Sequence, residues 1–192
     1  SSVGPGTATI RIDGGAVSTE LAVRLEALDR LDAGARAGVL WNLGASWAPT
    51  AAIEATARLP FLGRRLVAGA EVFVIGGGGT ATSNDGPMPF SYTTLAVALT
   101  AGYRAPSDAL FRPFGGVVLG VGWAWQSGTP PGSPEIRETA TAPIVGAFLG
   151  IGLRLGPGAA FLDARFSWMP ASGPLDGNLA GLGLSLGYRF RL

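Results

Sequence analysis

Residues Asn178 to Leu192 read NLAGLGLSLGYRFRL, and their alternation decides the fold. Ala180, Leu182, Leu184, Leu186, Tyr188, Phe190 and Leu192 take every second position, and Leu179, Gly181, Gly183, Ser185, Gly187, Arg189 and Arg191 take the others. A period of two marks a strand, because successive side chains leave a pleated backbone on opposite faces. At roughly 3.3 Å per residue it would run about 45–50 Å, longer than the five or six residues usual in a soluble sheet. A tilted crossing of a bilayer takes only about 9–11 residues.

One face is continuously apolar and ends in Tyr188 and Phe190; the other carries Gly, Ser and Arg. An apolar outside around a polar, closely packed inside is the arrangement of a transmembrane β-barrel. On these residues the chain resembles the small outer-membrane β-barrels of Gram-negative bacteria, whose last strand typically ends in alternating apolar and aromatic residues. The resemblance implies a closed antiparallel up-and-down transmembrane barrel in the bacterial outer membrane, its C-terminus periplasmic and outer-membrane lipids its immediate partners.

Composition agrees with strands. The 192 residues suit a single barrel domain, with residues 1–16 a tail or a first short strand. Mean hydropathy is +0.35 and 14% of residues are charged, against roughly 25% in an average soluble domain. Yet Gly, Arg and Glu interrupt every apolar run before the 18 or so residues of a spanning helix. The formal charge of +1 implies no nucleic-acid partner. All 14 basic residues are arginine, and His and Cys are absent; without Cys the redox compartment stays undecided. The chain opens on Ser1 and Ser2 with no visible signal peptide, as expected of a mature product or a fragment.

Along the chain, Gly6 to Ile12 alternates before the turn signal Asp13-Gly14-Gly15. Val17 to Leu28 alternates too, although its helix formers leave a helix open. Further alternating segments cover 33–47, 51–59, 65–75, 92–104, 111–126, 142–155 and 159–169. Turns fall at Ala48-Pro49-Thr50, 60–64, 105–110 and Gly156-Pro157-Gly158, and long loops are expected at 76–91 and 127–141. The glycine run at 76–79 lacks the Gly-Lys-Ser/Thr element of a phosphate cradle, so it reads as loop. Counting from Gly6 gives ten strands; if the first hairpin is a helix or a tail, eight remain. Both counts are even, as bacterial barrels require.

Charge placement fits a lipid-facing exterior, where Arg near the bilayer centre costs about 2–4 kcal/mol. By strand parity Glu20, Arg24, Glu26, Arg36, Glu54, Arg58, Arg65, Glu71, Arg112, Asp163 and Arg165 face inward as a lumenal network, and Arg11, Arg104, Arg154, Arg189 and Arg191 share the polar face. Aromatics fit as well, since they gather at membrane interfaces. Trp47, Trp123, Trp125 and Trp168 form one expected belt; Tyr103, Phe111, Tyr188 and Phe190 form the other, with Trp41 as the exception. A soluble ligand-carrying barrel would instead need an outer face rich in Lys, Glu and Thr. Here the polar face is largely Gly with scattered Arg and acids.

Buried charges need partners, and Arg engages carboxylates bidentately, so the network is expected to fill and hold a narrow lumen. An excess of Arg over acid would also suit an anion-favouring constriction. Inward glycines, among them Gly116, Gly120, Gly150, Gly152 and Gly187, permit strong curvature or receive a plug from the N-terminal segment or from 76–91. No enzyme is expected, since neither His nor Cys is present and Arg-matched acids make poor proton donors. No metal site or cofactor is expected either, for want of imidazole, thiolate or calcium-loop spacing. The sequence therefore predicts a structural or interaction component of the envelope, contacting another envelope protein through 76–91, 127–141 or the periplasmic face. The alternative is a narrow passive pore for small anionic solutes.

Overall fold

The computed structural model describes residues 6–14, 17–25, 31–42, 47–60, 65–83, 86–105, 110–172 and 177–192, with backbone alone for 6–25, 83 and 171. In chain order its strands are β1 (Gly6–Gly14), β2 (Val17–Leu25), β3 (Leu31–Trp41), β4 (Trp47–Arg58), β5 (Leu66–Ser83), β6 (Gly86–Arg104), β7 (Phe111–Gly128), β8 (Ile136–Leu155), β9 (Gly158–Trp168), β10 (Pro170–Ala171), β11 (Gly177–Asn178) and β12 (Leu182–Arg191).

Eight of them close into a barrel in the order β12-β3-β4-β5-β6-β7-β8-β9, and every adjacent pair is antiparallel. Of the two expected counts, ten is corrected and the alternative of eight matches the ring. β12 pairs with β3 from Leu182↔Trp41 to Arg191↔Asp32 and with β9 from Leu182↔Phe166 to Phe190↔Gly158. With β3 also laddered to β4, the seam offers no edge to another strand. β1 and β2 pair with each other as a separate two-stranded sheet, so the alternation of 17–25 marks a strand and not a helix.

Three strand limits also differ from expectation. β3 stops at Trp41 and β4 starts at Trp47, so Pro49 lies within a strand. It does so where β4 has β3 on one side only, since pairing with β5 begins at Thr50, and its missing N–H is not needed there. The segments 76–91 and 127–141 are mostly ladder: β5 and β6 pair from Leu66↔Tyr103 to Ser83↔Gly86, and β7 and β8 stay paired out to Gly128↔Ile136. Glycine, serine and threonine there read as loop by composition, but the neighbouring strand supplies the pairing that composition does not foretell. Finally, the opening stretch is interrupted. Leu179, Ala180 and Gly181 leave the strand and are buried, and the last ring strand is the ten residues of β12.

Alternation then sorts the side chains. Leu99, Leu119, Leu149 and Leu186 are each more than 60% exposed on the outer face, while Phe73, Ile75, Tyr92, Ile144 and Phe161 are buried inside. A continuous apolar exterior of this extent is not a water-facing surface. The two aromatic groups sit at opposite rims. Trp47, Trp123, Trp125 and Trp168 are exposed at the rim from which the long hairpins rise, and Tyr103, Phe111 and Phe190 are exposed at the other. There Tyr188 packs edge-on to Phe190 and donates its hydroxyl to the Leu155 carbonyl at 2.6 Å. Trp41 is no exception, because it lies directly opposite Trp47 in the β3–β4 register.

Candidate functional site

The inward parity of β3, β4, β5, β9 and β12 brings charges from separate strands to one level of the lumen. Arg36 on β3 donates from Nη1 to Glu54 on β4 at 3.1 Å and from Nη2 to Glu71 on β5 at 3.0 Å. Arg165 on β9 donates from both Nη groups to the two oxygens of Glu71. Arg189 on β12 donates from Nε to Glu54. The Glu71 side chain has no solvent exposure at all. Asp163 is also buried, with Oδ2 4.0 Å from Arg165 Nε and no hydrogen-bond partner for Oδ1.

Aromatic rings complete this layer. The Arg189 guanidinium lies 3.9 Å from the centroid of Phe161 and 4.5 Å from that of Phe114, and Arg165 stands 5.3 Å from Phe148. Such cation–π contacts hold a guanidinium plane in place. The rings occupy the glycine wall. A Cβ on Gly150 would run into Phe114, and one on Gly187 would run into Phe161. The barrel's own phenylalanines thus take up the space allotted to a plug from 76–91. The N-terminal segment proposed for that role lies outside the residues whose side chains are described. A pocket within this layer, lined by Glu54, Glu71, Phe114, Arg165 and Arg189 among others, has a volume of about 20 Å³, room for about one water.

Toward the hairpin rim the lumen is largely apolar, with Thr94 and Gln126 buried among its hydrophobic side chains. Leu40, Phe73, Ile75, Tyr92, Ile144, Met169 and Leu179 form one buried cluster. Met169 and Leu179 reach it from the connection between β9 and β12. Asn178 Oδ1 accepts the N–H of Met169 at 2.8 Å and that of Ala180 at 3.2 Å, which ties the two described ends of the connection together. Toward the opposite rim lies a third layer. Arg104 donates from Nη1 to Asp32 at 2.6 Å and from Nη2 to Thr56 Oγ1 at 3.3 Å, beside a cavity of about 210 Å³ lined by Arg58, Arg112, Arg154 and Arg191 among others.

Of the sequence-derived network, Arg36, Glu54, Glu71, Asp163 and Arg165 meet in the central layer, and Arg58 and Arg112 face the cavity. Arg65 is corrected: it sits exposed in the turn before β5. Glu20 and Arg24 lie where only backbone is described, and Glu26 lies outside the described residues. Asp32, Arg104 and Arg189 belong to the network although they were not among its candidates. Parity already turned Arg104 and Arg189 inward, and carrying the β3 alternation back from Arg36 through Gly34 reaches Asp32. Beyond the hairpin rim, Arg137 donates to Glu135 Oε2 from Nε at 3.0 Å and Nη2 at 2.8 Å, which holds that exposed carboxyl below its ordinary range. Among the described residues no group of three or more acids could hold a metal ion.

No family model matches the chain, and no curated protein sequence does. Solved structures do. Ail, the attachment invasion locus protein of Yersinia pestis, superposes with a TM-score of 0.51 at 13% identity, over 84% of this chain and 97% of Ail. A major outer membrane protein of Thermus thermophilus gives 0.50 at 11% identity, over 84% of this chain and 99% of that protein. The fold is that of the small outer-membrane β-barrels.

Proposed function

We propose that the chain is an integral barrel of a Gram-negative outer membrane, with its C-terminus periplasmic, that serves as a structural and interaction component of the envelope and not as an enzyme. The observation that carries this reading is the Glu71 carboxylate, solvent-free and held between Arg36 and Arg165 in the middle of the lumen. An eight-stranded barrel is just wide enough for side chains to fill. Ions would have to pass the bridged Arg36, Glu54, Glu71 and Arg165, beside a pocket with room for about one water, and then a largely apolar cluster. In planar bilayers the folded protein is expected to leave the membrane silent. Stepwise, anion-selective current would replace this reading with the narrow pore, which the arginine excess favours.

Interaction is assigned to the projecting sheet. Beyond Ile75, β5 no longer pairs with β4, and before Val145, β8 has no ladder with β9 among the described residues. Among the described residues each therefore has a ladder on one side only outside the ring, and such edges accept a further strand from a partner. Co-purification of another envelope protein in fixed ratio from detergent-solubilised membranes is expected. Its loss when 77–92 is shortened to a tight turn would locate the contact, and its persistence would remove it from this hairpin.

A further inference from the structure

We propose that the rim opposite the hairpins is a binding site for a small phosphate-bearing anion. The cavity there is walled by Arg58, Arg104, Arg112, Arg154, Arg189 and Arg191, with Asp32 as the one acid among its described lining residues. These arginines come from the ends of β4, β6, β7, β8 and β12, and a single cavity collects them because all five strands end at this rim. Asp32 is already engaged by Arg104 at 2.6 Å. Guanidinium forks match phosphate oxygens bidentately and keep their charge at any physiological pH.

Two further observations point to a ligand. The Nε–H of Arg104 is buried and meets no acceptor, although both Nη groups of the same side chain are bonded. The Arg189 guanidinium, which gives its Nε–H to Glu54, is fixed in orientation by Phe161 and Phe114 while also lining the cavity. Gly156, Pro157 and Gly158 line the cavity beside exposed Arg154. At about 210 Å³ the cavity is smaller than the roughly 300 Å³ at which pockets for drug-sized ligands begin. It suits a phosphate or diphosphate group and not a whole nucleotide. Such a group reaches this rim either on an anionic phospholipid of the adjoining leaflet or on a soluble compound. The site rests on the closed-lumen reading, because the layer above makes it a dead end.

The test is calorimetric titration of the full chain, folded in non-ionic detergent, with inorganic pyrophosphate at constant ionic strength. One saturable site is expected, weakened about tenfold or more in R154Q/R191Q, whose exposed positions leave the ring intact, and unchanged in R137Q at the other rim. Retention of the heat-modifiable gel shift shows that each variant is folded. Repeating the titration in nanodiscs separates the sources: competition in phosphatidylglycerol but not in phosphatidylcholine assigns the site to lipid headgroups, and equal affinity in both assigns it to a soluble anion. No saturable binding, or equal binding by R154Q/R191Q, overturns the site. Silent bilayers with no binding would overturn the site alone, whereas binding accompanied by current would overturn the closed lumen alone.

Discussion

Arg165 closes on Glu71 with both of its Nη groups although the two residues are 94 positions apart in the chain. β9 and β5 are four strands apart in either direction round the ring, so this ion pair spans the lumen as a diameter. Arg36 shares the same carboxylate from two strands away, and Arg104 and Asp32 bridge β6 and β3 nearer the rim. The interior is braced across its width by charge, in a place where neither partner could be left alone.

Removing Glu71 should therefore cost more than removing a surface acid. Glu71→Ala leaves Arg36 and Arg165 facing each other without their shared anion, and breaking a buried pair from one side costs about 3–5 kcal/mol. Urea unfolding of the lipid-inserted protein should show it. A double-mutant cycle with Arg165→Ala should give a strongly non-additive result, and additivity would mean the two are not coupled.

The glycine wall predicts a second effect. Gly187→Leu brings its side chain against both Phe161 and the Ala35 carbonyl and should destabilise by about 1–3 kcal/mol. Phe161→Ala in the same chain should recover part of that loss, at the expense of the Arg189 stack. Failure of the second change to rescue the first would place the strain in the backbone.

The membrane reading predicts a gradient along the outer face. Leu119→Arg, in the middle of the apolar band, should cost about 2–4 kcal/mol in a bilayer, and Thr139→Arg, on the projecting part of β8, about 0–1. Equal costs in bilayer unfolding experiments would remove lipid from the outer surface.

Asn178 makes the last case. Asn178→Ala deprives the N–H groups of Met169 and Ala180 of their acceptor, and each buried donor left unsatisfied costs about 1–3 kcal/mol. Amide hydrogen exchange should accelerate at 169–181 while the ladder of β6 with β7 stays protected.

Much of this architecture was readable before any coordinates. The alternation of β6, β7 and β8 is nearly unbroken, and a charge on the wrong face would be too costly in lipid, so the faces of Arg36, Glu54, Glu71 and Arg112 followed from parity. Membership of the ring did not, because β1 and β2 alternate as well and period two says nothing about which edge a strand joins. The projecting hairpins were hidden because a run such as GGGGTATS owes its extended form to the opposing strand and not to its own propensities. The apolar cap was hidden for another reason. Met169 and Leu179 are hydrophobes inside a barrel, and a rule that sends every hydrophobe outward has no place for them.

One consequence of the seam concerns assembly. The first strand of the barrel and the last are joined only when Arg36 finds Gly187 and Trp41 finds Leu182, contacts made across nearly the whole length of the ring-forming chain. Until β12 arrives, β3 and β9 each carry a row of unmet amide and carbonyl groups that hydrocarbon cannot solvate. Insertion must therefore proceed with the sheet sheltered or still curling, and the final ten-residue strand acts as the latch that makes the membrane a tolerable environment for the other seven.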